Sequence, residues 1–304
     1  MSTFQSRVEG LTNLTLSATS NPTLDQLSQF LKDGVIDVTS RWSLLRPQDK
    51  EEFLRESAAS DTQAGIDTNG AEIISVVREG GVANDWRPCK KIAVGQQSRV
   101  TDSNSLFYAS KYNPAYMCGD NSKISVFPEP GTSPDTYKVY YVNNVPVDKG
   151  GAALVHSHTD IGYFADDKVY LVVIYASMKC LQTQMASIYT EKLYNVFNFD
   201  DTKSRFREVQ DAMEQASGLI SEGIPAAGYD AFTFFLREDP EMVTSSINLA
   251  NNQLQIAAAK IQEINSNSQL FTQELSEINN RYQELKAQYD NAFGIARPPQ
   301  QGAQ

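Results

Sequence analysis

From Ile247 to Ala292 the chain runs without a glycine or a proline: "INLANNQLQIAAAKIQEINSNSQLFTQELSEINNRYQELKAQYDNA". These are the two residues that interrupt helices. Written in heptads, position a falls on Ile247, Leu254, Ile261, Ser268, Leu275, Tyr282 and Tyr289, and position d on Ala250, Ala257, Ile264, Phe271, Ile278, Leu285 and Ala292. All but Ser268 are apolar or aromatic, and a period held at 3.5 is a coiled-coil seam rather than general amphipathicity. The g and e flanks are mostly uncharged, among them Asn251, Gln253, Ala258, Asn265 and Gln288. Ion pairs therefore do not choose the partner.

A helix of about 50 residues is about 75 Å long, which is more than a domain of this size covers. Part of the seam is expected to meet its own hairpin partner, another subunit or another protein. A hairpin closed within one chain, against a helix over 166–190, is the competing arrangement, but that helix is too short to cover the seam. The partner-contact candidates are Leu254, Ile261, Ile264, Phe271, Leu275, Ile278, Tyr282 and Leu285.

The remaining segments set the architecture around that helix. In "NPTLDQLSQFLKDGVIDVTSRWSLLRP", Thr23 caps while Gln26 reaches back to the cap amide, and apolar residues recur at three and four until Pro47. Asp49 to Ser57 reads as a short second helix and "SAASDTQAGIDTNG" as a linker. From 71 to about 150 the runs "AEIISVVR", "CKKIAVG", "KISVFPEP" and "TYKVYYV" alternate with turn clusters, so an antiparallel β domain of four to six strands is expected. Its core candidates are Val76, Val77, Ile92, Val94, Ile124, Val126, Val139 and Tyr141.

"DDKVYLVVIYASMKCLQTQM" keeps helical spacing over a length too great for one strand, and starts near Asp166 or Asp167, where acids suit the helix dipole. A further helix is expected over 203–221, then a break at "EGIPAAG". Asp239 and Pro240 start the long helix, and "ARPPQQGAQ" follows it as a flexible tail. The fold class is α+β: a long-helix bundle with an inserted small antiparallel β domain and an extended, coiled-coil-like C-terminal helix. The expected divisions are 1–60 for the N-terminal part of the helical domain, 61–160 for the β insert and 161–304 for the rest.

The net charge of -11 repels nucleic acid and anionic lipid, which disfavours general DNA or RNA binding. No run reaches the roughly 20 apolar residues of a membrane span, and the start lacks the pattern of a signal peptide. A cytosolic product with no membrane anchor is expected. Cys89, Cys118 and Cys180 are spread along the chain with no CxxC pair, which argues against both a disulfide scaffold and a thiolate zinc site and points to reduced thiols in or near the core.

Chemistry has few places to sit. "VHSHTD" sets His156, His158 and Asp160 two apart, so on a strand they would share a face and offer a metal site. HxH alone is a weak pattern, and a solvent-facing loop before a helix is the competing reading. No GxSxG, HExxH, P-loop or GxGxxG occurs. Adjacent acids Asp166/Asp167 and Asp200/Asp201 read as helix-start groups. The Tyr- and Phe-rich stretch 102–131, with Phe107, Tyr108, Tyr112 and Tyr116, is either a partner-anchoring surface or internal packing.

The helix "FLKDGVIDVTSRWSLLRP", then "SLFYASKYNPAY", "ISVFPEPG" and "YKVYYV", then "VYLVVIYASMKCLQTQM", together resemble tailed-bacteriophage head-to-tail adaptor (connector, or neck) proteins, including the tail-tubular type of short-tailed phages. The similarity covers roughly residues 20–190, and the helices of 203–292 go beyond the compact adaptor pattern. The resemblance implies a non-enzymatic virion structural protein at the head-tail junction, made in the host cytoplasm. It also implies a homo-oligomeric ring, commonly a dodecamer, that meets the portal protein and a tail or nozzle protein. DNA would pass through without specific binding, and no cofactor, metal or membrane is implied. Two other readings stand beside it: a coiled-coil fibre or scaffolding protein built on 247–292, and a metal-dependent hydrolase using His156, His158 and Asp160.

Overall fold

The computed structural model describes residues 2–119, 122–197, 205–220 and 230–294. The chain divides into two compact units, Met1–Lys179 with Leu285–Gln304, and Cys180–Glu284. The boundaries expected near 60 and 160 fall inside the first of them. The helix-start acids Asp200 and Asp201, the break expected at "EGIPAAG" and the C-terminal tail "ARPPQQGAQ" lie outside the described residues.

The first unit opens with α1 (Phe4–Thr12) and α2 (Leu24–Leu45). The start of α2 is the expected capping box: the Gln26 amide donates to Thr23 Oγ1 at 3.3 Å and the Thr23 amide to Gln26 Oε1 at 2.9 Å. Leu27, Leu31, Val35 and Val38 line its buried face. Gly34 allows the next helical layer to approach closely, since a Cβ there would lie 3.1 Å from Tyr175 Cδ1 and 3.3 Å from Val172 Cγ1.

Beyond Pro47 the expected second helix is a 3-10 segment, Pro47–Phe53, followed by strand β1 (Leu54–Glu56). Sheet pairing overrides helix propensity there, because Leu54 to Glu56 register against Val142 to Tyr140. The remaining strands are β2 (Ile73–Glu79), β3 (Trp86–Pro88), β4 (Lys90–Lys91), β5 (Ala115–Cys118), β6 (Ile124–Phe127) and β7 (Tyr137–Val142). They form a four-stranded antiparallel sheet in the order β1-β7-β2-β3 and a three-stranded sheet in the order β4-β5-β6.

The small sheet corrects the expectation of purely antiparallel pairing, because β4 runs parallel to β5. The connection 92–114, which contains the short helix α3 (Gln97–Thr101), supplies the crossover that a parallel pair needs. It also explains why Val94 is exposed rather than core: β4 ends at Lys91 and the chain turns into a 3-10 segment, Val94–Gln96.

Side-chain alternation divides the small sheet between two cores. Tyr116, Ile124 and Val126 join Val76, Tyr137 and Val139 of the larger sheet in one cluster. Ala115, Met117 and Phe127 point the other way, onto Val100 and Ala109. The expected linker 57–70 is packed rather than free. Ile66 belongs to the inter-sheet cluster, its amide donates to the Tyr137 hydroxyl oxygen at 3.2 Å, and the Gln63 side chain accepts from the Val126 amide at 2.9 Å.

After a 3-10 turn at Asp166–Lys168 comes α4 (Val169–Phe197). Its first turns bury Leu171, Val172, Val173 and Ile174 in succession, which is why this run shows apolar residues all round rather than a stripe. The second unit contains α5 (Arg205–Ile220), α6 (Ala231–Leu236) and most of α7 (Pro240–Ala292). The expected start of α7 is present: Asp239 Oδ1 accepts from the Met242 amide at 3.2 Å, and Pro240 occupies the first turn. Helix α6 was missed as an element, although Asp230 caps it through the Thr233 amide at 2.6 Å.

Candidate assembly surfaces

Helix α7 does not present its apolar positions to one neighbour. In the second unit Ala257 and Ile264 pack against Val209 and Ala212 of α5, and Phe206 covers the cluster from one side. Lys260 closes the pair with an ion pair to Glu208 at 2.9 Å. The d positions in this stretch are thus covered within the chain, but by α5 and not by the 166–190 helix expected as the hairpin partner. The a positions behave differently: Leu254 and Ile261 are 44% and 46% exposed, whereas Ile264 is 7% exposed. Ile247 is exposed with them.

The other partner-contact candidates divide along the same helix. Phe271, Leu275, Ile278 and Tyr282 are half-buried, and the Tyr282 hydroxyl accepts from Gln182 Nε2 at 3.0 Å. Leu285 is buried and belongs to the first unit. Ile264 and Leu285 are thus core residues of the chain's own units and are not available to a partner.

The heptad template also missed three exposed side chains. Leu249, Ile256 and Leu270 sit at position c and are exposed. A straight helix with 3.6 residues per turn places a about 60° from d, and c about 40° from g on the other side. The apolar arc of α7 is therefore wider than a two-stranded seam, and α5 covers only its middle. A helical wheel drawn at 100° per residue carries that signal, whereas a strict a/d count does not.

Unit one holds the end of α7 by an aromatic and ionic cluster. The Tyr289 hydroxyl donates to Asp37 Oδ2 at 2.5 Å, and Asp37 also receives Arg41 Nε at 2.8 Å. Arg41 lies over the rings of Tyr289 and Phe293, and Trp42 meets Phe293 edge-on at 5.8 Å. Burial, reinforced by the Asp37 carboxylate, pushes the Tyr289 phenol above its ordinary value.

A second exposed surface lies in the aromatic stretch of the β domain. Leu106 is fully exposed and Phe107, Tyr108 and Tyr112 are also exposed, whereas Tyr116 is core. Lys90, Lys91 and Arg99 line the same concavity as Leu106 and Phe107, of about 400 Å³. In a chain of net charge -11 this is a basic, apolar-tipped patch.

"VHSHTD" forms turns, not a strand, so its three polar side chains do not share a face. His156 Nδ1 is 3.1 Å from Ser28 Oγ, His158 Nε2 is 3.8 Å from Asp148, and Asp160 accepts from the Lys149 amide at 3.0 Å. The His158 and His156 carbonyls instead receive the amides of Phe4 and Gln5 at the start of α1. Among the described residues no group of three His, Cys, Asp or Glu side chains is placed to hold a metal ion. Asp166 pairs with Lys149 and Asp167 with Lys168, which also meets Glu52.

Among the described residues no helix is long and apolar enough to cross a membrane. No protein-family model matches the chain, and no curated protein matches it significantly.

Proposed function

We propose that the chain is a non-enzymatic assembly protein of a tailed-phage particle, a head-to-tail adaptor whose copies surround the DNA passage between portal and tail. The observation that carries the assembly part is the uncovered, charge-poor apolar flank of α7, with Leu254 and Ile261 nearly half exposed beside a buried Ile264. Exposed apolar stripes of that length on a helix are protein–protein contact surfaces far more often than bare solvent faces. The order of segments over residues 20–190, which resembles such adaptors, supplies the particular assembly.

In this reading the two exposed surfaces have different tasks. The α7 flanks join neighbouring copies, in a ring that is a dodecamer in the adaptors this chain resembles. The basic, apolar-tipped patch of the β domain meets the portal or a tail or nozzle protein. Net negative charge keeps passing DNA from adhering to the wall. No cofactor enters the account.

Co-sedimentation of the purified chain with portal rings of the same virus tests this reading. Migration of the chain with the rings, at a fixed ratio, is expected. A chain that never enters the portal fractions would overturn the adaptor assignment and favour an independent fibre or scaffold.

A further inference from the structure

We infer that the basic concavity beside β4 is a docking site for an acidic segment of a partner protein, which sets an apolar side chain on the floor and carboxylates against the rim. The inference rests on the reading of the chain as an assembly protein, and it states what the partner presents to the β domain.

Floor and rim differ in chemistry. Val100, Ala109 and Ala115 are buried members of the cluster beneath the small sheet, and with Ile92 they give the concavity an apolar base. Lys90, Lys91 and Arg99 line it with exposed side chains. The chain has 37 acids, yet among the described residues none of these three cations forms an ion pair, whereas nearby Arg87 pairs with Asp85 at 2.9 Å. Leu106 and Phe107 form the lip.

Charge complementarity fixes the sign of the partner. Residues 86–118 hold five cations, Arg87, Lys90, Lys91, Arg99 and Lys111, against one acid, Asp102. That stretch carries +4 within a chain of -11, so the remainder carries -15. With a Debye length of about 8 Å at physiological ionic strength, a short acidic segment meets the island and not the distant acids. Cations of this kind steer the encounter and set its register, while apolar anchors supply the affinity.

Two observations favour a protein over a nucleic acid. The rings that would stack on bases are engaged by the chain's own cations: Arg87 and Lys111 lie over Tyr112 at 4.8 and 5.3 Å, and Arg99 over Phe107 at 5.9 Å. The most exposed side chain of the lip is the aliphatic Leu106, which has no ring to stack and gains only by burial against apolar surface. A long polyanion would also run off the island onto the acidic remainder.

Both walls are held by backbone hydrogen bonds. The Lys90 amide donates to the Pro114 carbonyl at 2.8 Å, the Ile92 amide to the Tyr116 carbonyl at 2.9 Å, and the Ala109 amide to the Val100 carbonyl at 3.0 Å. A site of about 400 Å³ falls within the roughly 300–1,000 Å³ of ligand clefts, and fixed walls lower the ordering cost of binding.

Selection of a displayed library of random twelve-residue peptides on the full-length chain tests the inference, followed by fluorescence anisotropy of the enriched peptides. The enriched peptides should combine Asp or Glu with Leu or Phe. K90Q/K91Q/R99Q should weaken their binding about tenfold or more, and L106Q should weaken it as well. The control K149Q/R237Q/K286Q changes the net charge equally at exposed sites elsewhere and should bind like the wild type; circular dichroism checks that every variant folds. Peptides without acid enrichment, no enrichment at all, or equal binding by K90Q/K91Q/R99Q and the wild type would overturn the inference. So would an equal loss in the control, which would reduce the effect to net charge, or tighter binding of a labelled twelve-residue oligothymidylate, which would make the surface a nucleic-acid site. A chain that selects acidic peptides yet never joins portal rings would defeat the adaptor assignment and leave this docking site standing.

Discussion

Ile261 and Ile264 stand one helical turn apart on α7 and should respond very differently to the same truncation. Ile264→Ala removes three carbons from a site enclosed by Val209, Ala212 and Ala257. At about 0.8 kcal/mol per buried carbon this is about 2.4 kcal/mol. The unfilled volume adds to that figure, and alanine's better helix propensity returns a few tenths. The net cost is about 3 kcal/mol, within the range for buried Ile→Ala changes. Ile261→Ala removes the same atoms from a site that is 46% exposed, where solvent refills the space, so the cost is about 0.5–1 kcal/mol. Amide hydrogen exchange over 205–220 and 250–270 reports the local opening free energy directly. It should be read at a dilution where the chain is monomeric, because association would add its own stabilisation. Ile264→Ala should accelerate exchange in both segments by roughly a hundredfold or more and Ile261→Ala by less than about fivefold. Equal acceleration by the two variants would refute the assignment of one residue to the hairpin core and the other to an open flank.

Three further outcomes rest on individual buried side chains. Tyr289→Phe should cost about 1 kcal/mol in thermal unfolding, since it deletes the hydroxyl donated to Asp37 but leaves the Asp37–Arg41 pair. Burial alone would raise the Glu79 carboxyl, but hydrogen bonds from the Thr136 side chain and from the Asn84 and Thr136 amides outweigh it and hold its pKa down. A depressed folded value means a stabilisation present above the unfolded value near 4.5 and lost as pH falls through the folded one. Urea titrations should therefore show wild type and Glu79→Gln differing by about 1–3 kcal/mol at neutral pH and converging in acid. Burial pushes the Cys89 and Cys180 thiols up to about 12, so at pH 8 a disulfide reagent should label these two far more slowly in the folded chain than in the chain unfolded by urea. Prompt modification of Cys89 or Cys180 in the folded chain would contradict that burial.

How far the sequence revealed this fold depended on how local the decisive contacts were. The capping box at Thr23 and the Asp239–Pro240 start of α7 are set by residues three or four apart, and both are present as expected. The strands β1 and β5 were missed because their reason is remote: Leu54 pairs with Val142, and Ala115 with both Lys90 and Phe127. The polar segment 57–70 reads as a linker until Ile66 and Gln63 find the two sheets. On the long helix the heptad pattern located the seam but treated all its positions alike. Only the placement of α5 distinguishes Ile264 from Ile261, and only a full helical wheel discloses Leu249 and Ile256. For "VHSHTD", two-residue spacing suggested a shared face, but the turn conformation sends each side chain to a different partner.

The most direct test of the assembly account is the native mass of the full-length chain, measured alone and again after adding portal rings of the same virus. The account predicts a closed, many-membered ring of one fixed copy number, able to join the portal as a unit. A chain that remains a monomer under both conditions, or a stable dimer or trimer that ignores the portal, would contradict it.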